Sequence, residues 1–129
     1  MTASLRARRC LKGHSDGVSH VAALPEGRAL SVSEDNTLRL WDIASGRRLR
    51  VLKGHSGSVR HVAALPDGRA LSASSDNTLR LWDIADGKVI GGLISDSPIS
   101  CLAISESIGV GVCGHADGKV TFFRVGPKS

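Results

Sequence analysis

The chain has 129 residues, 41% of them apolar, and 17 basic against 12 acidic side chains give a formal net charge of +5. That length is one domain's worth or less; no apolar run approaches a membrane span, and no hydrophobic stretch follows Met1 as a secretory signal requires. With two Trp, two Phe and no Tyr, the core must be aliphatic.

Residues 1–14 hold Arg6, Arg8, Arg9 and Lys12 and no acid, the composition of an organelle transit peptide. Yet "LKGHS" at 11–15 returns at 52–56, so this start is read as part of a repeat. Four short β-like runs follow: "VSHVAAL" (18–24), "RALSVS" (28–33), "TLRLWDI" (37–43) and "RRLRVL" (47–52). The corners between them are "PEG", "EDN", "ASG" and "KGHS", rich in the Gly, Pro, Asp and Asn that turns require. The pattern then starts again. Residues 52–87 match 11–46 at 29 of 36 positions, and "DNTLRLWDIA" occurs twice, 41 residues apart. A third, worn copy spans 93–124, with "ADGKVTFF" standing where "SDNTLRLW" stood. A period of this length marks a repeat architecture, and four antiparallel strands per period make one blade of a β-propeller. The expected fold is therefore all-β. One repeat region covers 1–129, with units at about 3–43, 44–84 and 85–125, the third degenerate.

Gly13-His14 with Trp41-Asp42, and Gly54-His55 with Trp82-Asp83, resemble the WD-repeat family. The tail also resembles the closing repeat of bacterial WD-repeat proteins, including those that follow NACHT-type NTPase domains. The resemblance implies a buried hydrogen-bond tetrad in each repeat: His14, Ser31, Asp35 and Trp41 in the first, His55, Ser72, Asp76 and Trp82 in the second. The third copy offers Asp96, Cys113, Asp117 and Phe123, from which no tetrad is expected. Family strand order implies that residues 5–11 are an outer strand of a preceding blade and that the last repeat lacks its outer strand. Three blades do not close a propeller. The alternatives are a fragment of a longer propeller, a head-to-tail pair of chains, or completion by further WD-repeat blades from another protein.

Four of the seven differences between the two close copies fall in two places. Asp16, Gly17 and Ser19 face Gly57, Ser58 and Arg60 at the entry to the first strand, and Glu34 faces Ser75 just before the tetrad Asp. With Pro98, Ser100 and Ala116 of the third copy, these positions form the candidate partner-binding rim that the resemblance implies. The resemblance implies a non-enzymatic scaffold for protein partners, with no cofactor and no catalytic residue. A C-terminal remnant or sensor segment of a larger NTPase-linked protein is the alternative.

Other chemistries are weaker. His14, Ser31 and Asp35 have the residue types of a hydrolase triad, but the same set recurs at His55, Ser72 and Asp76, and a Trp completes each. "GHADGK" (114–119) is one residue short of a phosphate loop, with Val120 where Ser or Thr is needed. Cys101, Cys113 and His115 lack the paired spacing of a metal site. Arg47, Arg48 and Arg50 fall on an outer strand, where charge blunts a sheet edge, and the scarcity of aromatics argues against nucleic acid. The three cysteines, with Cys10, lack CxxC spacing and point to free thiols in a reducing, cytoplasmic setting; a Cys101–Cys113 disulfide is the minor alternative.

Overall fold

The computed structural model describes residue 5 and residues 10–105 and 109–127. Eleven strands are found among these residues: β1 (Val18–Leu24), β2 (Arg28–Ser33), β3 (Thr37–Asp42), β4 (Arg48–Lys53), β5 (Val59–Ala64), β6 (Arg69–Ser74), β7 (Thr78–Asp83), β8 (Lys88–Ile94), β9 (Ile99–Ser105), β10 (Val110–His115) and β11 (Val120–Arg124). A single 3-10 turn, Pro25–Gly27, links β1 to β2. The strands form antiparallel meanders in chain order: β1–β4, β5–β8 and β9–β11. Blades 1 and 2 are four-stranded and blade 3 has three strands, as expected for a last repeat without its outer strand. Of the outer strand anticipated over 5–11, residues 6–9 lie outside the described residues, and Leu5, Cys10 and Leu11 carry no strand.

Turn chemistry sets the registers. The β2–β3 and β6–β7 hairpins place Asn36 (φ 74°) and Asn77 (φ 66°) in the left-handed region, which Asn tolerates better than most side chains. Gly118 fills the same role between β10 and β11, at φ 91°.

Strand alternation then gives each blade two faces. Leu30, Val32, Leu38 and Leu40 of blade 1 share one cluster with Val59, Val62, Ala70, Trp82 and Ile84 of blade 2. Blade 2 meets blade 3 through Ala73, Leu79, Ile99 and Cys113, with Leu93, Leu102 and Phe123 packed against them. His20 adds a polar tie at the first junction, its Nδ1 accepting the Val62 N–H at 3.1 Å. The blades are thus a stack of aliphatic faces joined inner strand to inner strand.

The third blade differs from the others in one connection. Thr78 pairs with Ile94 as Thr37 pairs with Lys53, while Ile99 pairs with His115 as Val59 pairs with Ser74. Blade 3 has therefore lost one residue between β8 and β9. Within that connection Asp96, aligned with His55 in the sequence, is exposed, and Ser95 is half-buried.

The three cysteines are free. Cys101 stands opposite Gly114, and Cys113 opposite Leu102. Cys101 and Cys113 therefore point to opposite faces of the sheet, which rules out the disulfide alternative.

Candidate functional site

In blade 2 the four tetrad residues form one continuous chain of hydrogen bonds. Trp82 Nε1–H donates to Ser72 Oγ at 2.8 Å. Ser72 Oγ lies 2.5 Å from His55 Nε2, and His55 Nδ1 lies 3.0 Å from Asp76 Oδ2. A hydroxyl that accepts from an indole still has its own proton to give. Ser72 therefore donates to Nε2, and the neutral imidazole donates from Nδ1 to the carboxylate. Asp76 also takes the Ser56 N–H at 2.9 Å, the Thr78 N–H at 3.0 Å and the Thr78 hydroxyl at 2.5 Å. Every polar atom in this buried network has a partner, the condition under which such a network is tolerated.

Blade 1 repeats the arrangement. Trp41 Nε1–H donates to Ser31 Oγ at 2.8 Å, Ser31 Oγ lies 2.6 Å from His14 Nε2, and His14 Nδ1 lies 2.8 Å from Asp35 Oδ2. Thr37 Oγ1 donates to Asp35 Oδ1 at 2.6 Å.

The electrostatics follow from this geometry. Burial raises the Asp35 carboxyl, but hydrogen bonds from Thr37, His14 and the Ser15 amide outweigh it and bring its pKa from 3.8 to about 2. Asp76 is lowered further, its burial overcome by Thr78, Ser56 and His55. Burial lowers the His55 pKa despite the neighbouring Asp76, in keeping with the neutral ring that the bonding pattern requires.

The glycine preceding each histidine is explained by the tryptophan. A Cβ on Gly13 would lie 2.5 Å from Trp41 Cη2, and one on Gly54 would lie 2.9 Å from Trp82 Cη2. The indole packs over bare backbone, so Gly-His and Trp are coupled features of one structure.

Two residue pairs escaped the sequence reading. Thr37 and Thr78 close the carboxylate site, as given above. Ser33, fully buried, ties the two loops together: its hydroxyl donates to the Gly17 carbonyl at 2.8 Å and accepts the Asp35 N–H at 3.0 Å. Ser74 does the same with the Gly57 carbonyl and Asp76 N–H, both at 3.1 Å. Their signal in the sequence was polarity at buried strand positions identical in both copies.

Blade 3 has a different cluster. His115 comes from the end of β10, at the Ser33 and Ser74 position. Its Nε2 lies 2.7 Å from Thr121 Oγ1 and 3.7 Å from Cys113 Sγ, and its Nδ1 lies 3.4 Å from Ser95 Oγ. Burial pushes the Cys113 thiol up, the opposite of what a nucleophile or metal ligand needs. Among the described residues no group of His, Cys, Asp or Glu could hold a metal ion, and no helix is long and apolar enough to cross a membrane.

The residues singled out for a rim come together in pairs at the equivalent end of each blade. The Glu34 N–H donates to the Gly17 carbonyl at 3.0 Å, the Ser75 N–H to the Ser58 carbonyl at 2.9 Å, and the Ala116 N–H to the Pro98 carbonyl at 3.1 Å. Asp16, Gly17, Ser19, Glu34, Arg60, Ser75, Pro98, Ser100 and Ala116 are exposed, and Ser58 is half-buried. Charge differs from blade to blade: Asp16 and Glu34 in the first, Arg60 in the second, no charged member among the third.

Known proteins show the same repeat. A family described as "WD domain, G-beta repeat" matches residues 6–42 and 46–83. The small ribosomal subunit protein RACK1 of Dictyostelium discoideum is 57% identical over 42 residues, which are 32% of this chain and 13% of that protein. The matched stretch is thus a small part of that relative. The family match spans more than half of the chain, and the Gly-His, Trp-Asp and tetrad residues lie within or between its two segments. The chain belongs to the WD domain, G-beta repeat family.

Proposed function

We propose that the chain is a non-enzymatic scaffold whose loops before β1, β5 and β9, with the turns after β2, β6 and β10, bind a protein partner. The observation that carries this reading is the contrast between the loops and their supports. Near-identical buried networks hold loop pairs that carry four of the seven differences between the copies, all four at exposed positions in blade 1. Asp16, Glu34 and Arg60 give adjacent blades opposite charge, which suits a partner with a matching charge pattern. The Ser–His–Asp sets argue against hydrolysis. Each serine proton is engaged by His Nε2, each hydroxyl also accepts an indole N–H, and Ser72 is fully buried. The support for protein partners is the family itself and the likeness to RACK1, a ribosomal subunit protein by name. We place the chain in a reducing cytoplasmic setting, because three thiols are free and two of them exposed.

The test is affinity capture from an extract of the source cell. Wild type is compared with a Glu34→Arg/Arg60→Glu double variant and with Arg48→Glu on the outer strand of blade 1. Proteins retained by wild type and Arg48→Glu but lost from the double variant support the loop reading. A capture profile unchanged by the double variant sinks it. The second reading, a segment of a larger NTPase-linked protein without activity of its own, draws on the open face of blade 1; an adjacent reading frame encoding more WD repeats would favour it.

A further inference from the structure

Blades 1 and 2 carry the same side chains on the face toward the chain start, yet the two faces differ in exposure. Val59, Val62 and Ile84 of blade 2 are 0%, 4% and 2% exposed because blade 1 covers them. Their counterparts Val18, Val21 and Ile43 in blade 1 are 54%, 61% and 53% exposed. They border a groove of about 1150 Å³ that also includes Leu11 and Trp41. This is a cognate blade surface with its cover removed.

At the other end blade 3 shows the complementary surface. Blade 1 covers blade 2 with Leu30, Val32, Leu38 and Leu40. Strand pairing puts Val112, Gly114, Val120 and Phe122 at the same four positions of blade 3. Val120 and Phe122 are 60% and 74% exposed. Cys101, also exposed, replaces His20 there, so the polar tie of the first junction is absent; the exposed Arg124, on the same face as Val120 and Phe122, puts one charge at the end of this apolar surface. Among the described residues no fourth strand lies beside the edge of β11. Leu11, the counterpart of Leu52, lines the groove on the open face of blade 1.

We propose that the open face of blade 3 docks on the open face of blade 1 of a second copy, and that two such contacts close a pair of chains. The occupant is argued from the molecule's own junction, in which the same blade surface is already covered by these same positions. The contact is heterologous, and only closure keeps it from growing into a filament. An unpaired strand edge and apolar patches of this kind are otherwise association hazards. This surface is separate from the loops that bind a partner in the reading above.

The test is the absolute mass of the purified 129-residue chain by light scattering, for wild type, Val21→Glu and Phe122→Glu. Both side chains are exposed in the single chain, so folding should survive, and the emission of buried Trp82 checks that it does. The expected result is a discrete species of twice 13.5 kDa. Each variant should weaken its dissociation constant at least about tenfold, and alkylation of Cys101, slowed in the pair, should speed up in both variants. A monomer over the accessible concentration range, an open-ended polymer, or a pair indifferent to both variants would overturn the proposal. Glu34→Arg/Arg60→Glu should leave the mass unchanged, so failure of the pairing and failure of the loop reading are separately visible.

Discussion

Ser72 stands at the centre of the blade 2 network, accepting from Trp82 and donating to His55. Ser72→Ala leaves two buried polar atoms without partners. It should cost about 1–3 kcal/mol, seen as a lower midpoint in denaturant melts. The aspartates make the fold acid-sensitive in a defined window. Asp35 is lowered in the folded chain from 3.8 to about 2, so its contribution is complete above the unfolded value and lost as pH falls through the folded one. Its share is about 2 kcal/mol. Stability of wild type should drop between about pH 4 and pH 2, and Asp35→Asn, already lacking that share, should show a shallower drop. His55 acts in the same direction. Its pKa is depressed on folding, so protonation of the unfolded chain draws stability down as pH falls below the ordinary 6.5. The tetrad residues were legible because the family pattern names their types and the sequence repeats them. Ser33, Thr37 and their copies were not, since a buried serine in a strand and a threonine at its start look like ordinary β residues until the loops are folded over them.

At the scale of the element, the strands of blades 1 and 2 were readable almost to the residue. Each is a short aliphatic run bounded by a turn that only Gly, Asn or Pro makes comfortably. Blade 3 was harder. One residue is missing between β8 and β9, and with few identities left to anchor the alignment nothing in the sequence places the gap. The pairing of Ile99 with His115 shows the shortening, which lies between Ile94 and Ile99. The loss of Trp there is matched by the loss of Gly-His, as expected if indole and glycine pack as one unit. Phe123 instead packs over Gly111, where a Cβ would clash with its ring. Gly54→Ala should therefore be destabilising, because the new methyl would sit 2.9 Å from Trp82, whereas Gly118→Asn, at a left-handed turn with open space around it, should cost far less. Thermal melts of the two variants check the ordering. Truncating Val59, which is fully buried between blades 1 and 2, to Ala should cost about 1–3 kcal/mol through lost contact and a residual cavity.

Among the described residues the molecule is three blades side by side with an exposed apolar face at each end, and in the function proposed above everything depends on what the networks do for the exposed loops. Period and blade count implied both the architecture and an arc with exposed aliphatic end faces, but not the degree to which each side chain on them is covered. Their exposure follows from which blade lies beside which, and identical side chains at Val21 and Val62 have opposite fates. In the function proposed above, the buried networks hold the partner-facing loops in place. Amide hydrogen exchange followed by mass spectrometry, comparing wild type with Ser72→Ala at neutral pH, tests it most directly. The account predicts faster exchange in the variant at the Ser56 and Ser75 amides and at their neighbours in the two loops, with the protection of β6 and β7 largely retained. Loop exchange indistinguishable from wild type, with the network cut at its centre, would contradict it.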